Sequence, residues 1–253
     1  MLIDYQKVNI YQVDGTLVLQ DVDFHADEGE FIYVIGRVGS GKSSLLKTLY
    51  FELDVNEAEN AIVLNHNLRG LKRKYIPALR RQMGIIFQDF QLLADRTVKE
   101  NLRFVLKATG WKKKDEIDER INDVLEDVEM LDFADRYPHE LSGGEQQRIA
   151  IARAMLNKPK IIIADEPTGN LDPETASNII SLLREVTQTG TAVVITTHNM
   201  SLLSQYPGIV YRCSDHRLEE ITDDYNKIDF FEPYDELDVS THVDYSARED
   251  LSI

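Results

Sequence analysis

Positive charge is scarce in this sequence. Its 28 Lys and Arg face 44 Asp and Glu, a formal net charge of −16. A sequence-independent hold on nucleic acid draws its affinity from Lys and Arg that neutralise phosphates, so that class of function is disfavoured. Stable direct adsorption to an anionic bilayer is disfavoured for the same reason. Cysteine is nearly absent. With Cys213 alone no intramolecular disulfide can form, and a reducing cytoplasm is the expected home. Cys213 lies in Ile209-Val210-Tyr211-Arg212-Cys213, which reads as a strand and points to an inert structural thiol. Long apolar runs are missing too: none approaches the ~20 residues that cross a bilayer. Met1-Leu2-Ile3-Asp4-Tyr5 has no basic segment leading into an apolar one, so neither membrane insertion nor a signal peptide is expected. Work at a membrane would have to pass through a partner.

What is present is an ordinary globular balance over 253 residues, 43% hydrophobic and 28% charged, enough to bury a real core. Short β-rich runs at Val8–Tyr11, Leu17–Phe24 and Phe31–Ile35 lead into a Gly-rich loop and a helix over Lys42–Tyr50. Ala61–Leu64 and Met83–Phe87 read as further strands, separated by the basic stretch Arg69–Arg81. Between Thr97 and Lys158 the pattern turns helical; Ile117, Ile121, Val124, Leu125 and Val128 share one face of a helix over Asp115–Val128. Strand and helix then alternate through Lys160–Ala164, Pro173–Gln188 and Ala192–Thr196. Such alternation predicts a mostly parallel sheet flanked by helices, with an all-helical insertion in the middle.

From about Asp223 the periodicity stops. Residues 215–253 hold thirteen acids against three bases, well over half of the net charge. The segment 223–253 is expected to be a solvated, flexible tail. Its aromatics Phe230, Phe231, Tyr234 and Tyr245 are more than solvation needs, and make a docking or autoregulatory segment the competing reading.

The strongest chemical signal is Gly36-Arg37-Val38-Gly39-Ser40-Gly41-Lys42-Ser43, followed by Ser44. It follows a predicted strand and opens a predicted helix, the context a phosphate-binding loop requires. Glycines let the backbone curl so that successive N–H groups point at phosphate oxygens, and the helix N-terminus adds a positive dipole. Lys42 is placed to bind the β- and γ-phosphates of a nucleotide, and the Ser43 hydroxyl to ligate Mg²⁺. A second signal is the buried run Ile161-Ile162-Ile163-Ala164 ending in Asp165-Glu166. Two carboxylates there emerge at the C-terminal end of a strand, where α/β sheets place ligands. Asp165 suits Mg²⁺ through water; Glu166 suits a general base.

Those two elements define a P-loop NTPase. Leu141-Ser142-Gly143-Gly144-Glu145-Gln146-Gln147-Arg148 resembles the signature motif of the ABC ATPase family, although Ser142 would also serve as the cap of a helix from Gly144 to Met155. The resemblance covers about residues 1–222. It implies an α/β P-loop core of ABC type: a mixed sheet, an N-terminal antiparallel β subdomain, a core of 1–88 and 159–222, and a helical subdomain at about 89–158. It also implies ATP as ligand, Mg²⁺ as cofactor, and a head-to-tail dimer in which Ser142, Gly143, Gly144 and Glu145 of one copy bind the nucleotide on the other's P-loop. By the same resemblance Gln88 looks like the glutamine that senses Mg²⁺ and water, and His198 like the switch histidine that positions Glu166. Asp172, in Asn170-Leu171-Asp172, looks like the loop crossing the dimer interface, and Tyr11 matches the aromatic that stacks on adenine. Arg37-Val38, Ser44 and Asn199 depart from the commoner residues at their positions.

Asp165-Glu166-Pro167-Thr168-Gly169-Asn170-Leu171-Asp172 is similar to the subfamily that contains cell-division, lipoprotein-release and macrolide-export ATPases. Leu92-Leu93-Ala94-Asp95-Arg96-Thr97-Val98 resembles the cell-division (FtsE) branch. That implies an FtsX-like membrane permease as partner, with the chain peripheral on the inner face of the cytoplasmic membrane; the alternative is the ATPase of a lipoprotein-release or macrolide-type exporter. The basic run Leu71-Lys72-Arg73-Lys74 reads as a solvated helix face, with a place near lipid headgroups as the competing reading.

Overall fold

The computed structural model describes residues 1–225; the aromatics Phe230, Phe231, Tyr234 and Tyr245 of the acidic segment lie outside the described residues. The chain opens with an antiparallel pair, β1 (Ile3–Tyr11) and β2 (Leu17–Ala26). β1 starts at Ile3 rather than Val8 because Lys7, at φ 49°, breaks the register. Ile3 and Tyr5 face inward before the break and Val8 and Ile10 after it, so a period of two counted from Val8 does not run backwards. β3 (Phe31–Ile35) and α1 (Lys42–Leu49) follow. β4 (Asn60–Val63) and the two-residue β5 (His66–Asn67) then complete a four-stranded antiparallel sheet ordered β2-β1-β4-β5.

The basic stretch is exposed, but it enters a 3₁₀ turn (Arg73–Tyr75) and the short α2 (Ile76–Arg80) rather than forming a helix face over 71–74. β6 (Met83–Ile86) precedes three helices, α3 (Val98–Ala108), α4 (Lys114–Asp127) and α5 (Gly143–Met155). Then come β7 (Ile161–Ala164), α6 (Pro173–Thr187), β8 (Ala192–Thr197), α7 (Met200–Gln205), the hairpin of β9 (Ile209–Ser214) and β10 (Arg217–Glu220), and α8 (Thr222–Tyr225). The main sheet is ordered β10-β9-β3-β8-β7-β6, parallel throughout except for β10.

β3, β7 and β8 are buried on both faces, which is why they read as unbroken apolar runs. Their side chains still alternate between two cores. Ile32, Val34, Ile161, Ile163 and Val194 face the antiparallel sheet and α1; Tyr33, Ile35, Ile162, Val193 and Ile195 face the side carrying α5 and α6. The inserted helices join that second core through Leu102, Leu106, Ile117, Ile121, Val124 and Leu125. The sheet thus presents the C-terminal ends of β3, β7 and β8 together, and the functional residues follow those ends.

Candidate active site

Residues 36–44 follow β3 and open α1. Gly36 (φ 148°), Gly39 (φ 82°) and Gly41 (φ 105°) all take conformations that L side chains rarely adopt. Gly41 is the turn's pivot: a Cβ there would meet Val18 Cγ1 at 2.8 Å. Lys42 is buried, its Nζ donating to the carbonyls of Gly36 (2.8 Å) and Arg37 (2.9 Å) and so spanning the loop. Ser40 Oγ is buried with no protein partner. An orphaned hydroxyl inside a cradle of backbone N–H groups fits an anionic ligand of the phosphate kind.

Asp165 and Glu166 leave the end of β7 beside this loop. Ser43 Oγ donates to Asp165 Oδ1 at 3.1 Å, and Thr196 Oγ1 donates to the same oxygen at 2.7 Å. Thr196 Oγ1 also accepts the Glu166 N–H at 2.8 Å, so one buried hydroxyl of β8 fixes both acidic residues. Glu166 sits at φ 45°, a left-handed conformation that costs on the order of 1 kcal/mol or more. His198, just past β8 and largely exposed, brings Nδ1 to 3.5 Å from Glu166 Oε2. Asn199 caps α7, its Oδ1 accepting from the Ser201 N–H (3.1 Å) and hydroxyl (2.7 Å).

A cavity of about 740 Å³ lies against the loop, within the ~300–1,000 Å³ usual for small-molecule sites. Of the residues singled out in the sequence, Val38, Gly39, Ser40, Gly41, Lys42, Ser43, Ser44, Gln88 and Glu166 line it, and Gly36, Arg37 and Asp165 do not. So do Gln12, Thr16, Leu17, Val18, Asp215 and His216, which sequence reasoning missed. Gln12 Nε2 donates to Ser44 Oγ at 3.0 Å. His216 occupies the two-residue turn between β9 and β10 at φ 59°, after Asp215 at φ 48°. Its Nδ1 lies 3.0 Å from Val18 O, and its carbonyl accepts the Gln20 N–H at 2.8 Å, stitching the hairpin to β2 as a wall of the cavity. Two adjacent positive φ values make this a primed hairpin turn, and the sequence hides it because His stands where such a turn usually carries Gly.

Tyr11, matched in the sequence to the stacking aromatic, does not line this cavity. Its hydroxyl donates to Glu57 Oε2 at 2.7 Å, and its ring lines an adjoining cavity with Phe51 and Arg80. Glu57 is anchored by Asn9 Nδ2 at 3.0 Å, and these two bonds hold its carboxyl below the usual carboxylate range. Gln12 borders both cavities.

Ser142, Gly143, Gly144 and Glu145 are also absent from the cavity lining; they form the first turn of α5. Ser142 Oγ accepts the Glu145 N–H (3.3 Å) and Glu145 Oε2 accepts the Ser142 N–H (2.7 Å), a capping box that leaves the Ser142 O–H free to donate. Gly144 rests against α6: a Cβ there would stand 2.6 Å from Thr175 Cγ2. Asp172 caps α6 through the Thr175 N–H at 3.0 Å, which keeps its carboxyl low.

Two further residues tie the segment after Gln88 into the helices. Arg153, on α5, donates to the carbonyls of Phe90 (2.7 Å) and Gln91 (2.6 Å). Buried Asn101, on α3, accepts the Leu93 N–H at 2.8 Å and donates to the carbonyls of Leu93, Arg96 and Thr97 at 3.0–3.1 Å. Among the described residues no three of His, Cys, Asp and Glu converge as an all-protein metal site. Ser43, Asp165 and Gln88 instead offer a few hard oxygens beside the phosphate cradle, the donor chemistry that suits Mg²⁺. No helix among the described residues is long and apolar enough to cross a membrane.

The profile of the ABC transporter family matches residues 19–169. The cell division ATP-binding protein FtsE of Streptococcus pneumoniae is 41% identical over 191 residues, 76% of this chain and 82% of that protein. FtsE of Escherichia coli K12 is 40% identical over 217 residues, 86% of this chain and 97% of that protein. Among solved structures, cbiO1 of Clostridium perfringens, part of the cbiONQ ABC transporter complex, superposes with a TM-score of 0.79 at 29% identity, covering 86% of each chain. A dimeric ATP-binding cassette in a post-hydrolysis state with ADP and Pi gives 0.75 at 30% identity, covering 87% of this chain and 98% of that one. The cradle of residues 36–44, the carboxylates set at the end of β7, and these likenesses agree: the chain belongs to the ABC transporter family, as one of its ATPase cassettes.

Proposed function

We propose that this chain is the ATPase subunit of a cell-division ABC system, dimerising head-to-tail around two ATPs and acting on an FtsX-like permease at the cytoplasmic face of the membrane. The ATPase domain spans 1–222, with the helical subdomain at about 89–158. The observation that carries the chemistry is the convergence of Lys42, Ser43 and Glu166 on one cavity, with Asp165 hydrogen-bonded to Ser43 behind them. The cell-division role is supported by FtsE relatives about 40% identical over most of their length.

In this reading residues 36–44 cradle the phosphates, and Lys42 exchanges its loop carbonyls for β- and γ-phosphate oxygens. The base extends past Gln12 toward Tyr11, whose ring remains the candidate stacking surface. Ser43, Asp165 and Gln88 would hold Mg²⁺, which supplies positive charge against the phosphates. Glu166 accepts a proton from water as the water oxygen attacks the γ-phosphorus and the bond to the ADP oxygen breaks. His198 orients Glu166. Ser142, Gly143, Gly144, Glu145 and Asp172 serve the partner copy's nucleotide, in keeping with their absence from their own chain's cavity lining.

Glu166→Gln keeps the shape and removes the base. Hydrolysis is expected to fall by about 10²–10⁴-fold, with ATP binding intact and an ATP-dependent dimer visible by light scattering. Hydrolysis at the parent rate would sink the assignment of Glu166. For the partner, the chain is isolated from gently solubilised membranes; an FtsX-like permease should come with it. A lipoprotein-release or macrolide-type permease would replace the biology and leave the enzymology standing.

A further inference from the structure

The helical segment carries a groove that the ATPase reading does not use. Lys99, Arg103 and Lys107 recur at four-residue spacing along α3 and so share a face. Lys112, from the α3–α4 connection, and Lys114, the first residue of α4, close a concavity of about 550 Å³ around them. Asp118 is the one carboxylate in the lining, and Arg103 already binds it at 2.5 Å. The nearby Glu116 is engaged by Lys113 at 2.6 Å. Lys99, Lys107, Lys112 and Lys114 have no carboxylate partner among the described residues. Unpaired cations gathered in a concave site, on a chain of net charge −16, form a receptor for an anion.

The chain supplies a polyanion of its own. Residues 226–253 contain eight acids against two bases, with Phe230, Phe231, Tyr234 and Tyr245 among them. We propose that this C-terminal segment docks in the Lys99–Lys114 groove of the same chain, carboxylates on the lysines and aromatics along their aliphatic stems. The segment starts after α8, and 28 residues span up to about 90 Å when extended, enough to cross a domain of this size. Covalent attachment makes the encounter intramolecular, so weak contacts suffice. The remaining described surface is itself net acidic, which leaves few places for such a segment. The other basic stretch, Arg69–Arg81, is a poorer fit, because Glu52 and Asp54 share the cavity that Arg73 and Arg80 line. An anionic bilayer would meet the acidic remainder of the molecule along with the groove.

The test is zero-length carbodiimide coupling of the full chain at low and high salt, with the linked peptides mapped by mass spectrometry. The expected links join Asp229–Asp250 to Lys99, Lys107, Lys112 or Lys114, in a yield independent of protein concentration and lost at high salt. Links concentrated on Lys72 and Lys74, links spread over all exposed lysines, or no links would overturn the proposal. A yield rising with concentration would assign the groove to a second copy and overturn it too. In the triple variant Lys99→Glu/Lys107→Glu/Lys114→Glu, checked for an unchanged melting curve, proteolytic cleavage within 226–253 should become several-fold faster. Equal cleavage rates would overturn docking. So would equal cleavage together with lost binding to phosphatidylglycerol vesicles, which would give the groove to a lipid surface.

Discussion

Gly36 is pinned from the far end of the chain. A Cβ on it would stand 2.5 Å from the Cys213 carbonyl oxygen and 2.7 Å from Ser40 Oγ, at a φ of 148°. The first contact is backbone of β9, which is hydrogen-bonded to strands on both sides, and cannot swing away. Gly36→Ala should therefore push the phosphate cradle off β9, at a stability cost of about 1–3 kcal/mol, and weaken ATP binding at least tenfold by titration with a fluorescent analogue. Affinity within twofold of the parent would mean that the loop tolerates the shift. Cys213 itself is buried, and burial pushes its thiol up to about 12. At pH 8 only ~10⁻⁴ of it would be thiolate. A maleimide should leave the folded protein unlabelled and take one equivalent in denaturant; rapid native labelling would contradict the burial. The glycine spacing was legible because the motif is local. Cys213 beneath it, Thr196 between Asp165 and Glu166, and His216 on the cavity wall were not, because each acts across strands that the sequence does not order.

Among the elements, β3, β7 and β8 could be read almost to their ends, since burial on both faces leaves an apolar run with no polar interruption. β10 could not: Leu218 is its only buried side chain, and its partner strand supplies the pattern. β5 is two residues long and has no pattern to read. The segment after Gln88 shows the same limit at the site. Phe90 and Gln91 take φ values of 58° and 49° in succession, a strained path that the Arg153 guanidinium holds from α5. Asn101 then gathers the next turns, down to the cap of α3 at Thr97. Its partners are backbone groups, which leave no trace in side-chain type. Asn101→Ala would leave the Leu93 N–H and the Arg96 carbonyl without their partner, while the Leu93 and Thr97 carbonyls keep backbone N–H groups, costing about 2 kcal/mol or roughly 6 °C in melting temperature. Amide exchange should quicken over residues 90–97 more than over β7 and β8. A uniform change across the molecule would mean that Asn101 serves the core at large and not this segment.

At the scale of the whole molecule, the residues that the sequence groups as one site are divided between two surfaces. Lys42, Ser43, Gln88 and Glu166 surround the cavity, while Ser142 caps α5 away from its lining with a hydroxyl proton left to give. A symmetric pair of chains would join each surface to its complement twice over, making two composite sites. This has a consequence that no single-chain site shares. Lys42→Ala disables the cavity and leaves Ser142 sound; Ser142→Arg does the reverse. Each variant alone should be inactive, since every composite site would contain one defect. Mixed in equal amounts, half of the dimers should be heterodimers, each with one doubly defective site and one fully sound. If sites act independently, the mixture should then recover about a quarter of the parent ATPase activity. A site complete within one chain would give no recovery, because both species would carry their own damage into every pairing. Melting curves of the two variants separate that outcome from misfolding, and sedimentation of the mixture with ATP shows whether heterodimers form. Recovery with mixed dimers present would fix Ser142 as the partner's contribution to the nucleotide on Lys42; activity in either variant alone would instead point to single-chain turnover.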